Sequence, residues 1–130
     1  MDKIPLSHQD LLNDEIRAYA VLSTLMEDST PQATPVWFNS IDGYILINSA
    51  KGRVKDLNMR RCPQVALVIL DPKDPYRYLQ VRGRVVEMTT QGAEAHIHEL
   101  SRKYTGQDFD INPDDVRVMY KILPEHVTAG

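Results

Sequence analysis

The chain has 130 residues, a formal net charge of −3 and a hydrophobic fraction of 42%. This length accommodates one domain with its own core and is too short for two, so we expect a single domain over residues 1–130. The charge disfavours a general nucleic-acid binder, no apolar run approaches the roughly 20 residues of a membrane span, and the N-terminus lacks a signal-peptide core, so we expect a cytoplasmic protein.

The first half of the chain predicts one short helix and then strands. The helix is expected over Leu6–Ile16. Apolar segments separated by turn residues predict three strands, over Ala18–Met26, Gln32–Phe38 and Tyr44–Asn48. Pro35 lies inside the second segment, which indicates an edge strand or a bulge, where no ladder N–H is needed. The apolar run that begins at Pro35 is equally compatible with core packing and with lining a slot for a planar ring.

The stretch Ser49–Arg61 leaves the third strand, turns through Gly52 and predicts a short amphipathic helix. Val54, Leu57 and Cys62 recur at helical spacing, so we expect them to face the core.

Basic residues of the same stretch favour an anion site. Lys51, Lys55 and Asn58 share a second helix face, and Arg53 lies in the first turn. A helix start exposes unpaired N–H groups and carries partial positive charge, which suits a phosphate. Cations at that position are easiest to explain if an anion lies between them, although a solvated basic face is the alternative.

The second half of the chain predicts three more strands and a longer helix. The strands are expected over Val65–Leu70, Tyr76–Met88 and Val116–Val127, the first of them buried on both faces. Gly83 indicates a bend or a close backbone approach. The helix is marked by an apolar stripe at Ala93, Ile97, Leu100 and Tyr104, and ends at Gly106.

Six strands with short turns and two or three helices predict a mainly β protein, a small β-barrel capped by helices. Open sheet edges and an apolar, tryptophan-bearing patch predict a partner subunit. The chain has no P-loop, no dinucleotide-binding glycine motif and no nucleophile elbow, and we assign no metal site. Redox chemistry in such a chain would come from a bound cofactor.

The chain resembles the flavin and deazaflavin oxidoreductases of the pyridoxamine 5′-phosphate oxidase-like, FMN-binding split-barrel superfamily. The likeness is carried by the order of six motifs: A-V-L-S-T at 20–24, P-V-W-F at 35–38, G-R-V-K-D-L-N at 52–58, P-Q-V-A-L-V at 63–68, V-R-G-R-V at 81–85 and A-H-I-H-E-L-S-R-K-Y-T-G at 95–106. The R-x-K-x-x-N element is most similar to the branch that uses the deazaflavin coenzyme F420.

This resemblance implies a six-stranded split barrel that works as a homodimer, with two cofactor sites at the interface. The cofactor-binding positions that it implies are Pro35, Val36 and Trp37 along the ring, Ser49 and Ala50 beside the phosphate, and Arg53, Lys55 and Asn58 holding the phosphate. Lys51, Arg60 and Arg61 are further candidates for holding the acidic tail of F420.

The leading hypothesis is an oxidoreductase that binds coenzyme F420 and transfers a hydride to a small electron-poor substrate. The nearest alternative is an FMN-binding oxidoreductase of the same fold. A third hypothesis, from a different class, is a non-enzymatic protein that binds a flavin, haem or another tetrapyrrole. The resemblance names no catalytic side chain.

Overall fold

The computed structural model describes residues 3–130, and it folds mainly as β-strands. The strands are β1 (Tyr19–Leu25), β2 (Pro31–Val36), β3 (Phe38–Ile41), β4 (Tyr44–Ala50), β5 (Gln64–Leu70), β6 (Tyr78–Thr89) and β7 (Arg117–Ala129). A 3₁₀ helix, Leu6–Leu12, precedes β1, and two α-helices follow later, α1 (Val54–Arg61) after β4 and α2 (Ala93–Thr105) after β6. The prediction of a mainly β chain with capping helices is confirmed, although the first helix ends four residues early because Asn13 is extended.

The strands form one antiparallel sheet whose two edges are consecutive in the chain. The strand order is β2-β1-β5-β6-β7-β4-β3, so β2 and β3 are the edges. β2 ends at Val36 and β3 begins at Phe38, which leaves Trp37 as the link between them. Because consecutive Cα atoms are about 3.8 Å apart, the sheet has to curl until its edges meet at Trp37. The result is a barrel that is split along one seam.

The seam corrects the predicted strand count. The segment Gln32–Phe38, predicted as one strand, is divided at Trp37, where the chain crosses from one edge of the sheet to the other. The sheet therefore has seven strands among the described residues, rather than six. Pro35 lies on edge strand β2, opposite Val21, which confirms its predicted place at an edge.

An apolar core fills the inside of the curled sheet. Its largest fully buried side chains include Phe38, Leu67, Ile122 and the ring of Tyr120. The alternate apolar side chains of β6, Leu79, Val81 and Val85, are 0–7% exposed and belong to this core. β5 is central in the sheet, but its residues alternate between buried and partly exposed, so the prediction that both of its faces are buried is wrong.

Gly83 lies where β6 and β7 come too close for a side chain. The register between the two strands shifts between Arg82 and Gly83, and Gly83 is opposite Pro124. A Cβ atom at position 83 would overlap the carbonyl oxygen of Leu123. The predicted close backbone approach is therefore confirmed.

We expect Gly83→Ala to lower the free energy of unfolding by roughly 1–3 kcal/mol or more, because the new methyl group forces β6 and β7 apart. Urea denaturation followed by circular dichroism measures this loss. Gln80→Ala, at an exposed position of the same strand, should stay within about 0.5 kcal/mol of the parent. Equal stability of the two variants would contradict the close approach.

Candidate functional site

A cavity of about 500 Å³ lies beside the barrel seam, within the roughly 300–1,000 Å³ typical of small-molecule sites. Its apolar lining comes from β1, the seam, α2 and the loop after α2: Tyr19, Ala20, Val21, Pro35, Val36, Trp37, Ile97, Leu100, Tyr104 and Phe109. Its polar lining consists of Asn48, Arg53, Lys55 and Arg117. The lining thus combines a broad apolar wall with a small cationic group.

Three aromatic rings in contact with one another build much of the apolar wall. The rings of Trp37 and Tyr104 are parallel within 7°, with centroids 5.6 Å apart, and the Phe109 ring meets Trp37 edge-on at 6.2 Å. The Tyr104 hydroxyl donates to the Ala18 carbonyl at 2.8 Å. Burial raises the pKa of Tyr104 to about 12, so this residue stays a neutral phenol. The wall is a fixed surface on which a flat ring can stack.

Three cations face the same cavity. Arg53 precedes α1 and is 3.6 Å from the Asp115 carboxylate. Burial lowers the pKa of Lys55, and the charges of Arg53 and Arg117 lower it further. Burial and the charge of Arg53 also lower the pKa of Arg117. Burial and neighbouring positive charge therefore destabilise the charged forms of Lys55 and Arg117, and a bound anion would relieve that repulsion.

Helix α1 carries Lys55 and begins directly after Arg53, and it is turned the opposite way from its apolar pattern. Val54 and Leu57 are 45% and 51% exposed, and Cys62 is partly buried. The buried residues of the helix are Asp56, Asn58 and Met59. The predicted core face is therefore wrong, because the two buried polar side chains find hydrogen-bond partners inside the protein that outweigh the burial of two apolar ones.

The Asp56 carboxylate is fully buried and is matched by several donors. It accepts hydrogen bonds from the Gly52 N–H at 2.8 Å, from the Tyr120 hydroxyl at 2.5 Å and from Arg60 Nε at 3.0 and 3.1 Å. Burial raises the pKa of Asp56, but the hydrogen bonds from Arg60, Gly52 and Tyr120 outweigh it and leave the pKa below the usual value. Asp56 thus ties the turn at Gly52 and the helix to β7.

Asn58 fixes the other side of α1 against β1. Its amide donates to Thr24 Oγ1 at 3.0 Å and contacts the Met26 sulfur at 3.4 Å. Arg61 Nη2 donates to Asn58 Oδ1 at 2.8 Å and to the Leu25 carbonyl at 3.0 Å. Arg61, like Arg60, therefore makes hydrogen bonds to its own chain.

The sequence-predicted positions divide into two groups. Five of them line the cavity: Pro35, Val36, Trp37, Arg53 and Lys55. The other three, Ser49, Ala50 and Asn58, are each 2% exposed and do not line it. Ser49 alternates with the cavity-lining Asn48, and its hydroxyl has no hydrogen-bond partner within residues 3–130.

Sequence reasoning missed Asn48, Phe109 and Arg117 as lining residues. Arg117 is opposite Ala50 in the pairing of β7 with β4, which brings it beside the turn that carries Arg53. The alternation of β7 predicted a strand, but it contains no information on which strand β7 pairs with. The loop position of Phe109 likewise gave no periodic signal.

The family follows from the match of a family model to nearly the whole chain. The model described as pyridoxamine 5′-phosphate oxidase matches residues 8–129. The chain belongs to this family. The predicted resemblance to the split-barrel superfamily is therefore confirmed, together with the split-barrel architecture.

Solved structures resemble this split-barrel protein over most of its length. A protein named as an F420 reductase is 30% identical and superimposes with a TM-score of 0.85, covering 96% of this chain and 98% of that chain. A conserved hypothetical protein of Mycobacterium tuberculosis is 21% identical with a TM-score of 0.75, covering 98% and 84% of the two chains. A putative pyridoxamine 5′-phosphate oxidase of Listeria innocua is 22% identical with a TM-score of 0.72, covering 95% and 94%. No curated protein matches the sequence.

Two further findings concern residues 3–130 of the split-barrel protein. No helix in this range is long and apolar enough to cross a membrane. No group of three or more histidine, cysteine, aspartate or glutamate side chains in this range is arranged to hold a metal ion.

We expect Asp56→Asn to lower the free energy of unfolding by about 2 kcal/mol at pH 7. The variant leaves Arg60 without its buried anion, and the partial exposure of Arg60 keeps the loss moderate. Because folding lowers the pKa of Asp56, its stabilisation is present above the unfolded-state value of about 3.8 and is lost as pH falls through the folded-state pKa. The stability difference should therefore persist at pH 5 and narrow below about pH 3.8.

Urea denaturation of both proteins between pH 7 and pH 3 checks this dependence. Asp114→Asn, at an exposed loop position, should change stability by no more than about 0.5 kcal/mol at every pH. A stability difference for Asp56→Asn that grows on acidification would contradict the assigned charge state.

Proposed function

We propose that this protein is a cofactor-dependent oxidoreductase that binds coenzyme F420 and serves the transfer of a hydride to a small electron-poor substrate. The observation that carries the proposal is that one cavity combines an aromatic wall with three cations, two of which, Lys55 and Arg117, are destabilised by burial and by neighbouring positive charge. A planar ring with a phosphorylated arm is the class of molecule that satisfies both features at once.

The residues present fit the phosphate of such a cofactor. Arg53 and Lys55 would bind the phosphate oxygens with charge-assisted hydrogen bonds. Ser49 and Ala50 carry the chain from β4 into the turn before α1, and Asn58 holds the helix in place from inside. These three positions would act on the phosphate site by orienting its backbone and cations.

The residues at the seam fit the ring. Pro35, Val36 and Trp37 border the cavity, and Tyr104, which also lines it, stacks against the Trp37 ring. Bound deazaflavin would supply the hydride. The apolar wall orients the ring and excludes water from its buried side, while a substrate would approach the side that faces the cavity opening.

Exposed apolar side chains near the cationic turn support a homodimer. Val54, Leu57 and Val116 are 45–51% exposed, and the Val116 carbonyl accepts the Lys51 N–H at 2.8 Å, so these residues lie close to the cavity. Tyr19, at the cavity itself, is 62% exposed. A second copy of the chain would cover this apolar surface and complete the cofactor site.

Two considerations favour F420 over FMN. The protein named as an F420 reductase is 30% identical to this chain over almost its full length. Lys51 is exposed beside Arg53 and makes no ion pair with another described residue, so it is available for the acidic tail that FMN lacks. Arg60 and Arg61, which the sequence also suggested for the tail, are occupied by Asp56 and Asn58.

Fluorescence titration of the purified protein with F420 and with FMN tests the choice of cofactor. We expect micromolar binding of F420 and binding of FMN that is at least about tenfold weaker. Tighter binding of FMN would support the flavin alternative. Binding of neither molecule would contradict the proposed function and favour a binding protein for haem or another tetrapyrrole.

We expect Lys55→Ala to weaken F420 binding by about 1.5–3 kcal/mol, roughly 10- to 150-fold, because a charge-assisted hydrogen bond to the phosphate is lost. The free energy of unfolding should change little, since the residue faces the cavity and its charge is already destabilised by burial. Isothermal titration and urea denaturation of the same preparations measure the two effects.

Lys121→Ala is the matched control for this substitution. Lys121 is on β7, its ammonium group lies over the ring of Tyr44 on β4, and it does not line the cavity. Its substitution therefore removes the same charge at another place. We expect its F420 affinity to stay within about twofold of the parent. An equal loss in both variants would point to net charge and contradict a specific role for Lys55.

A further inference from the structure

Arg117 is the most deeply buried of the three cavity cations. It is 6% exposed, and its guanidinium carbon lies 5.3 Å from the centroid of the Phe109 ring. Among residues 3–130 it makes no ion pair, and Asp115, a carboxylate whose charge favours the Arg117 cation, is paired with Arg53. A buried cation normally has an anionic partner. We therefore expect the anionic partner of Arg117 to be a ligand bound in the cavity.

A chain of hydrogen bonds fixes the direction of the Arg117 side chain. Arg117 Nε donates to Asn48 Oδ1 at 2.9 Å. Asn48 can present this oxygen because its amide nitrogen is engaged elsewhere, donating to the Ala93 carbonyl at 2.9 Å and to His96 Nδ1 at 3.1 Å. A flipped Asn48 amide would place a donor against the Arg117 Nε–H and an acceptor against the Ala93 carbonyl, so this orientation is the satisfied one.

His96 holds the other end of the chain. Since Nδ1 accepts from Asn48, the ring proton is on Nε2, which donates to Asn39 Oδ1 at 2.9 Å. His96 is 4% exposed, and burial lowers its pKa to about 4, so the ring is neutral and keeps its acceptor nitrogen near neutral pH. These hydrogen bonds connect His96 on α2, through Asn48 on β4, to Arg117 at the start of β7. With Nε committed, the Nη atoms of Arg117 are left to meet a ligand.

We propose that Arg117 is an anion-binding residue of this cavity and that Asn48, His96 and Asn39 are positioning residues that fix its guanidinium for that task. The chemical class of the bound group is a phosphate, which the planar guanidinium binds through paired N–H donors. That this phosphate belongs to the redox cofactor rests on the proposed function. The anion site and its positioning chain do not depend on the proposed function, and they can be tested without any cofactor.

The first experiment follows the Arg117 Nε–H resonance by ¹⁵N NMR while inorganic phosphate is added to the protein. We expect a slowly exchanging signal, identified by its absence from Arg117→Gln, that shifts in a saturable way with phosphate. Arg84→Gln, which removes an exposed arginine paired with Glu125, should leave both the signal and the phosphate affinity unchanged. A resonance that does not respond while phosphate binds elsewhere would overturn the site.

Substitutions at His96 test the positioning chain. His96→Gln keeps one acceptor and one donor, so we expect phosphate affinity within about twofold of the parent. His96→Leu removes both, so we expect the Nε–H signal to lose its protection from exchange and phosphate to bind roughly 3- to 10-fold more weakly. If His96→Leu does not fold, Asn48→Leu tests the adjacent link. Unchanged exchange and affinity in a folded Leu variant would overturn the chain.

A final comparison assigns the phosphate to a cofactor. Arg117→Gln should bind F420 roughly 10- to 100-fold more weakly and should bind the unphosphorylated ring-ribityl fragment of F420 as the parent does. Equal losses for both compounds would overturn the phosphate assignment. A parent protein that binds inorganic phosphate at Arg117 but neither F420 nor FMN would contradict the proposed function and still support the anion site.

Discussion

The buried carboxylate of Asp56 joins the parts of the molecule that meet at the cavity. It accepts hydrogen bonds from the turn at Gly52, from Arg60 on its own helix and from Tyr120 on β7. A buried charge is expensive unless donors surround it, and α1 therefore turns Asp56 inward, where the Gly52 N–H and the Tyr120 hydroxyl reach it. That rotation leaves Val54 and Leu57 outside and brings Arg53 and Lys55 to the cavity.

The curl of the sheet provides the other half of the cavity. Because Trp37 links the two edge strands, the position where the barrel closes is also where a large aromatic side chain lies beside the cavity. Lys103 on α2 stabilises the start of β3 next to Trp37, because its ammonium group donates to the Phe38 carbonyl at 2.8 Å. The aromatic wall is therefore built on a covalent constraint of the chain and is held by the helix that covers it.

The chain has 15 basic and 18 acidic residues, yet positive charge is concentrated at the cavity. The basic residues around α1 and the cavity have two different roles. Arg60 and Arg61 neutralise or bridge groups of their own chain, which stabilises α1. Arg53, Lys55 and Arg117 face the cavity, with Asp115 as the carboxylate that pairs with one of them. The charged forms of Lys55 and Arg117 are destabilised at the cavity, a pattern typical of functional sites.

The sequence by itself determined most of the secondary structure, the close approach at Gly83, the family, and five residues that line the cavity. Periodicity and the positions of proline and glycine report local backbone preferences. The structure keeps these preferences at Pro35 on an edge strand, in the alternating burial of β6 and in the buried stripe of α2. Only the tertiary structure decided the seven-strand count, the rotation of α1 and the place of Arg117. Each of these depends on a partner distant in sequence: the opposite sheet edge for Trp37, Tyr120 for Asp56, and Asn48 for Arg117. Hydrogen bonds between such partners outweighed the local apolar pattern, because a buried polar group without a partner costs more than an exposed valine or leucine.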